Sequence, residues 1–350
     1  MNILIIGDAH FSEKNILDMK IVENDILSIL SSVDKLDMIV GLGDWMNDFG
    51  KISLKSYTAC LTFILKMVDK CDKFVMLIGN HDRVNNRYDP ENLHIFSSLK
   101  TNPKILVVDE PFIWEQGGVK FGAIPYLPAD DFNGHIPPEF FDGSVRLCFA
   151  HQEFRGCILS ANTCSTEGTE VTSTTPTTIS GHIHMRHNIG RVYYPGTPIQ
   201  HNFSEGPDKS VTACFVHPAT PDQQKSRDFV EEPDGSIQAQ EGTIILQNLL
   251  LPNIPKKYTI YCDLVDLPKY IGSLNPKDYF RFIITYNLRD ELITSQTYME
   301  LRKNSRVKVT SICREVVSKL NIPVLNKKSF RDTIIAAAKS EDQRSLLFSI

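Results

Sequence analysis

Five short polar motifs in the first half of the chain carry residue types that bind divalent cations: Asp8-Ala9-His10, Gly43-Asp44, Gly79-Asn80-His81-Asp82, Phe149-Ala150-His151 and Gly181-His182-Ile183-His184. Cleavage of a phosphodiester needs a nucleophilic hydroxide near neutral pH, neutralisation of phosphate charge and protonation of the leaving oxygen. Two divalent ions a few ångströms apart supply the first two. Asp8 and His10 stand two residues apart, so both can reach one ion where a strand turns into a loop. Asp44 has two oxygens with which to bridge a pair of ions. Asn80 offers a neutral oxygen, and His151, His182 and His184 offer imidazole nitrogens. Such mixed nitrogen and oxygen ligation without thiolate suits Mn²⁺, Fe or Zn²⁺ and does not choose among them. A lone Asp-x-His or Gly-Asp is more often a turn, and a lone strand histidine a satisfied core residue. The inference rests on all five in order.

These side chains need strand ends to hold them. Ile3-Leu4-Ile5-Ile6 leads into Asp8, Met38-Ile39-Val40 into Asp44, Phe74 to Ile78 into Asn80, and Val145 to Phe149 into His151. Short apolar runs bounded by Gly and polar residues read as strands covered on both faces, and α/β proteins keep their sites at the carboxyl ends of such strands. The first four motifs are therefore expected together at one edge of a sheet. The fifth follows Thr177-Thr178-Ile179-Ser180, β-branched but more polar. Amphipathic helices are expected over residues 15–30 and after Ser53, giving the order strand, helix, strand, helix, strand and a largely parallel first sheet. Residues 104–109, 112–114, 119–124 and 211–216 read as short strands of a second sheet stacked on the first. Residues 160–178, rich in Ser and Thr, read as a solvated loop.

The expected fold class is α/β, two stacked mixed sheets flanked by helices, with a small C-terminal α+β capping domain. Its boundaries are a catalytic domain over residues 1–217, a linker or long hairpin over 218–250 and a basic region over 251–350. Within that last region, residues 258–267, 279–288 and 307–312 read as strands, 291–303 as a helix and 330–350 as a helix that binds a partner or packs on its own domain. Residues 1–255 hold 20 Lys+Arg and 32 Asp+Glu, a charge of −12, whereas residues 256–350 hold 17 and 10, a charge of +7. Bound cations would offset part of the first excess, and the basic region suits an anionic partner such as nucleic acid or simply solvates helix faces. No apolar stretch is long enough to span a bilayer, and no basic segment precedes the first apolar run. Eight scattered cysteines without a C-x-x-C pair favour a reducing cytoplasmic setting.

Taken together, Asp8-x-His10, Gly43-Asp44, Gly79-Asn80-His81-Asp82, His151 and Gly181-His182-x-His184 resemble the signature of the calcineurin-like metallophosphoesterases over residues 1–217. The resemblance implies one metal held by Asp8, His10 and His184, a second by Asn80, His151 and His182, and Asp44 bridging them. It implies also that His81 is the catalytic imidazole that can protonate the leaving group, with Asp82 orienting it; an imidazole titrates near neutrality, as that role requires. The run Arg191 to Gln200, with Tyr194-Pro195-Gly196-Thr197-Pro198, followed by Phe203-Ser204-Glu205, is similar to a segment of SbcD-type DNA-repair nucleases. Those proteins are manganese-dependent exonucleases and single-strand endonucleases, commonly homodimers, that work with an SbcC-type coiled-coil ATPase and carry a capping domain. Asn47 stands where many of them have an acid or His, and Arg83 where Pro is frequent, but neither change removes a ligand.

The function expected from the sequence is thus a two-metal DNA nuclease, manganese being the expected ion. The alternatives are a phosphoesterase acting on a nucleotide or another small phosphodiester, and a non-catalytic DNA-binding adaptor. Intact ligand positions weigh against the adaptor.

Overall fold

Alternation along the first strand explains the layering. In β1 (Asn2–Ile6), Ile3 and Ile5 point to one face and Leu4 and Ile6 to the other, and all four are buried. Such a strand must be covered on both sides. Leu4 and Ile6, with Ile39 and Met76 of neighbouring strands, pack against Met19, Val22 and Ile26 of α1 (Ile16–Ile29) and Phe63, Ile64 and Met67 of α2 (Leu54–Val68). Ile3 and Ile5, with Val40 and Val75, pack instead against Phe121, Leu147 and Phe149 of a second sheet.

The computed structural model describes residues 1–313 except 34, 85–92, 129–131, 133, 161, 162, 221, 224–226 and 288. The expected helix over residues 330–350 lies outside the described residues. Contacts divide the chain into two units, Met1–His201 with Asp208–Ile254, and Asn202–Pro207 with the residues from Pro255 onward.

In the first unit, β1, β2 (Leu36–Gly41), β3 (Cys71–Leu77) and β4 (Ile105–Val108) run parallel, joined by α1 and α2 as the sequence order requires. The second sheet contains β5 (Phe112–Gln116), β6 (Val119–Ile124), β7 (Leu147–His151), β10 (Thr178–Gly181), β11 (His187–Ile189) and β12 (Val192–Tyr194) in the order β11-β12-β10-β7-β6-β5. A separate hairpin pairs β8 (Ile158–Ser160) with β9 (Thr163–Cys164). The first sheet continues beyond β1 through β13 (Ser210–Val216), then β16 (Ile244–Leu250), β15 (Ile237–Ala239) and β14 (Val230–Glu231), all antiparallel. Both sheets are mixed, and they stack as expected.

The allocation of strands differs from the sequence reading. Residues 104–109 and 211–216 supply β4 and β13 to the first sheet, because β4 continues the parallel crossover series and β13 pairs with β1. The run ending at His151 belongs to the second sheet. Residues 218–250 contribute β14, β15 and β16 to the first sheet. The stretch 160–178 is not wholly solvated, since Ser165, Thr169, Thr175 and Thr177 are buried.

In the second unit, β17 (Lys257–Asp263), β18 (Tyr279–Tyr286) and β19 (Val307–Cys313) form a parallel sheet with β18 central. The helix expected over 291–303 is two helices, Arg289–Thr294 and Gln296–Leu301, because Ser295 caps the second by accepting the Tyr298 N–H at 3.3 Å. Phe282, Ile284, Leu292 and Leu301 form its core.

Candidate metal centre

The loops after β1 and β2 are zipped together by backbone. His10 N–H donates to the Asp44 carbonyl at 2.9 Å and Phe11 N–H to the Trp45 carbonyl at 2.7 Å, which sets the Asp8–His10 and Gly43–Asp44 motifs side by side. Asn15, just before α1, donates from its amide to the His10 carbonyl at 2.8 Å and braces the same loop. The second sheet joins from the other side. His151, at the end of β7, lies 2.7 Å from the Leu42 carbonyl through Nδ1, and His182 N–H, just past β10, donates to Asp8 Oδ2 at 2.8 Å. The motifs therefore meet between two sheets, not along the edge of one.

Three of the site residues sit at positive φ: His10 at 45°, Asp44 at 49° and His182 at 76°. Such conformations are uncommon away from glycine and cluster at functional sites, held by their surroundings. Gly43, at φ 107°, completes the sharp turn into Asp44, and a Cβ there would lie 2.5 Å from His151 Nδ1. Glycine is required both for the backbone angle and for the close approach of the imidazole.

Every sequence-predicted ligand converges. His10 Nε2 is 3.1 Å from His184 Nε2 and 3.5 Å from Asp44 Oδ2, and His184 Nε2 is 3.9 Å from Asp8 Oδ2. On the other side, His151 Nε2 is 3.3 Å from Asp44 Oδ1 and 3.2 Å from Asn80 Oδ1, and Asn80 Oδ1 is 3.1 Å from His182 Nδ1. Asp44 thus turns one oxygen toward the Asp8, His10, His184 group and the other toward the Asn80, His151, His182 group. The trios Asp8, His10, His184 and Asp44, His151, His182 each bring ligand atoms within 4.8 Å of one another, and so do His10, Asp44 and His81.

This donor set fits divalent cations. Asp8 and Asp44 are 1% and 2% exposed, and Asp8 Oδ1 has no hydrogen-bond partner among the described residues. Buried carboxylates are costly unless a positive charge or donors compensate them. Asn80 presents its oxygen to two imidazole nitrogens, whereas the reversed amide would lie 3.3 Å from both Asp44 oxygens as a donor. By hydrogen bonds alone the reversed amide is the better satisfied, and a cation between these groups would make the oxygen-inward orientation the better one. His151 Nδ1 at the Leu42 carbonyl fixes its tautomer with Nε2 toward the cluster, the usual arrangement around ligating imidazoles.

The electrostatics of the ion-free polypeptide agree. Burial pushes the Asp8 carboxyl up to about 6, with His151 opposing it. Burial works against ionisation of Asp44 too, but His151, His10 and His81 outweigh it and hold that carboxyl well below its ordinary range. Burial also disfavours protonation of His151, yet Asp44 and Asp8 overcome it and raise the imidazole to about 9. His182 is driven down to about 3 by burial and by His151 beside it, and burial likewise depresses His10. These opposed shifts mark a buried cluster of oxygens and nitrogen lone pairs whose charge balance divalent ions would complete.

His81 sits at the rim. Its backbone N–H donates to Asp44 Oδ1 at 2.9 Å, its Nδ1 is 2.6 Å from the Asn47 carbonyl, and its ring lies 4.1 Å from that of Phe49 and 4.7 Å edge-on from that of His10. Asp82, expected to orient His81, makes no hydrogen bond to that ring. It is buried, and accepts the N–H groups of Met46 at 3.0 Å and Gly79 at 2.9 Å, tying the loops after β2 and β3 together. Asp82 is the third residue of the 3₁₀ turn Asn80–Asp82 and accepts the N–H of Gly79, the residue that begins it, so both carboxyl oxygens are engaged by backbone and neither bonds the imidazole that precedes it. Burial, with Asp44 adding to it, raises the Asp82 carboxyl to about 8.

Two site neighbours escaped the sequence reading. The His201 ring packs 4.7 Å from His10 and 5.0 Å from His184, with Nε2 3.1 Å from the Asp8 carbonyl. The Tyr126 ring lies 5.5 Å from His182. Tyr126 stands two residues beyond the end of β6, the same kind of position that marked the other motifs. His201 follows an irregular stretch, and no local pattern singles it out.

Residues 1–186 match the family model for calcineurin-like phosphoesterases. Two viral proteins, both provisionally named phosphoesterases, are similar to the same part of the chain. Protein 078R of Invertebrate iridescent virus 3 is 30% identical over 220 residues, 62% of this chain and 62% of its own length. Protein 244L of Invertebrate iridescent virus 6 is 32% identical over 214 residues, 60% of this chain and 74% of its own length. The chain thus spans somewhat under two thirds of 078R and about three quarters of 244L.

Proposed function

The chain belongs to the calcineurin-like phosphoesterases, and from that premise we propose that it is a metal-dependent DNA nuclease that hydrolyses phosphodiester bonds. The observation that carries the phosphoesterase part is the placement of Asp44, whose two oxygens lie 3.5 Å from His10 Nε2 and 3.3 Å from His151 Nε2 at the junction of two ligand groups. Asp8, His10 and His184 would hold one divalent ion and Asn80, His151 and His182 the other, with Asp44 shared. Ions so held lower the pKa of water and neutralise phosphate charge. The ligand types suit Mn²⁺, and also Fe or Zn²⁺.

The remaining chemistry belongs to the polypeptide. His81 Nδ1 faces a carbonyl 2.6 Å away and must carry a proton there, so it is the imidazolium, protonated on both nitrogens, that hands its Nε2 proton to the departing sugar oxygen and is left as the neutral Nδ1–H ring. Phe49 on one face and the edge of His10 on another limit the turning of this ring. Asp82 serves the site indirectly, by holding Gly79 and Met46 in place.

DNA as substrate is supported by the similarity of residues 191–205 to the corresponding SbcD-type segment and by the basic balance of residues 256–350. On the same reading the chain works as a homodimer with an SbcC-type ATPase.

The test is incubation of the metal-loaded chain with linear double-stranded DNA, single-stranded DNA and bis(p-nitrophenyl) phosphate, beside Asp44→Ala. Cleavage of DNA that disappears in Asp44→Ala while DNA binding survives is the expected result, since backbone contacts elsewhere dominate affinity. Turnover of the small diester with no cleavage of either DNA would replace the nuclease reading by a small-phosphodiesterase one. Near-normal turnover by Asp44→Ala would sink the two-metal reading.

A further inference from the structure

A second polar cavity lies at the other end of the strands that carry the metal centre. It has a volume of about 370 Å³ and is lined by Lys120, Ser144, Arg146 and the Gly117-Gly118 turn, among others. Lys120 is the second residue of β6, and Arg146 immediately precedes β7. The Arg146 N–H donates to the Lys120 carbonyl at 2.9 Å, so the two cationic residues begin adjacent strands. His151 ends β7 five residues beyond Arg146, a separation of about 16 Å at the usual strand rise.

Arg146 is the informative group, because it is a charge buried without a counter-charge among the described residues. It is 7% exposed, yet its Nε donates to Gln240 Oε1 at 3.1 Å and its Nη2 to the His217 carbonyl, both neutral acceptors. Among the described residues no carboxylate pairs with it, and its Nη1 has no protein partner. Burial is the sole influence on the guanidinium and lowers its pKa. A buried charge is tolerated when something compensates it, and a neutral side chain would hold two carbonyl-type acceptors at lower cost. Lys120 is likewise bound to a neutral group, its Nζ donating to Ser144 Oγ at 2.7 Å. Two acids stand beside these groups: Asp142, whose Oδ1 accepts the Ser144 N–H at 2.7 Å and whose charge is felt by Lys120, and Glu115, directly across from Lys120 in the β5–β6 ladder.

The guanidinium is also held by a hairpin turn. Gln240 and Glu241 lie at φ 55° and 53°, and Gln240 is buried. Its amide clamps Arg146 from both sides, accepting from Nε and donating to the Arg146 carbonyl at 2.9 Å. Gln240 and Glu241 both lie in the turn that joins β15 to β16, where hairpins take such angles, and the turn seats the Gln240 amide against Arg146.

We propose that this cavity is an anion site, distinct from the metal centre, that takes a phosphoryl oxyanion between Arg146 Nη1 and Lys120 Nζ. Guanidinium and ammonium groups give charge-assisted hydrogen bonds to phosphate oxygens, and the Gly117-Gly118 turn allows close approach because it carries no side chains. The oxyanion is either free phosphate or the phosphate of a nucleotide.

Calorimetric titration of the metal-loaded chain separates these sources. Inorganic phosphate is the probe in one arm and thymidine 5′-monophosphate in the other, each with Lys120→Met and Arg146→Gln beside the unsubstituted chain. The expected result is two binding events, one of them weakened at least about tenfold in either variant, which is the scale of a lost charge-assisted hydrogen bond. Hydrolysis of bis(p-nitrophenyl) phosphate should be unchanged in Lys120→Met. Equal second-site affinity for the two probes assigns the cavity to free phosphate, and tighter binding of the nucleotide assigns it to a nucleotide phosphate. A single event in the unsubstituted chain, or two unaltered events in Lys120→Met, overturns the proposal. That variant decides the matter should Arg146→Gln not fold.

Discussion

Replacing Gly79 by alanine tests how tightly the two halves of the metal centre are fitted. Gly79 has φ −86° and ψ 178°, extended angles that alanine adopts without strain, so any effect must be steric. An added Cβ would stand 2.2 Å from Asp44 Oδ1 and 2.3 Å from the Asp44 nitrogen. Ordinary contact begins near 3.4 Å, so against the backbone atom the shortfall is 1.1 Å (3.4 less 2.3). Neither neighbour can swing aside, because the Asp44 carbonyl is bonded to His10 N–H and Gly79 N–H to Asp82. The loops after β2 and β3 must therefore part by about 1 Å, a displacement worth about 10²-fold in rate when it misplaces reacting groups. The overpacking costs about 1–3 kcal/mol of stability, small enough to leave the domain folded. The assay is the initial rate on bis(p-nitrophenyl) phosphate, with metal content and melting temperature measured on the same samples. Gly272→Ala is the control, since a Cβ there meets nothing within 4 Å. A folded Gly79→Ala chain with its metals and a rate within a few-fold of the unsubstituted one would refute the argument that this contact sets the position of Asp44.

Two further substitutions and a truncation probe other parts of the site and chain. His81→Ala should keep two ions by elemental analysis while losing roughly 10²-fold or more in rate, the scale of a positioned general acid; loss of metal would make His81 a ligand instead. Asp82→Ala should act on stability, lowering it by about 2 kcal/mol through two orphaned backbone N–H groups, and should leave the acidic and basic limbs of the pH–rate profile where they were; a moved limb would show that Asp82 tunes His81 after all. Ending the chain after Ile254 should weaken DNA binding and flatten its salt dependence while sparing hydrolysis of the small diester; equal affinity and equal salt slope in two folded proteins would assign the basic excess of residues 256–350 to solvation or to a protein partner.

The ligand residues were legible in the sequence because metal chemistry restricts which side chains serve, and because strands announce their ends. Apolar runs before Asp8, Asp44, Asn80 and His151 locate β1, β2, β3 and β7, and periodicity locates α1 to within a residue or so and the start of α2. Register and partnership were not legible. Nothing in Val145 to Phe149 distinguishes a strand of the first sheet from one of the second, since both faces are buried in either place; only pairing with β6 and β10 decides it. The polar Thr178–Gly181 strand is hidden from a hydropathy reading because neighbouring strands, not its own composition, bury it.

The same division governs function. Residue types and spacing by themselves pointed to a cluster of candidate cation ligands with Asp44 able to bridge, because Asp-x-His fixes local geometry within a few bonds, whereas the division into two ligand groups came from the family resemblance. Which atoms face which was decided by tertiary structure, through contacts across more than a hundred residues such as His151 with the Leu42 carbonyl. It decided that the Asn47 carbonyl, not Asp82, holds His81 and that His201 stands beside His10. It also left Arg146 buried with neutral partners at the far end of β7. Hydrogen bonds and burial depend on distance in space, and a chain folded into two stacked sheets brings together residues that no sequence window contains.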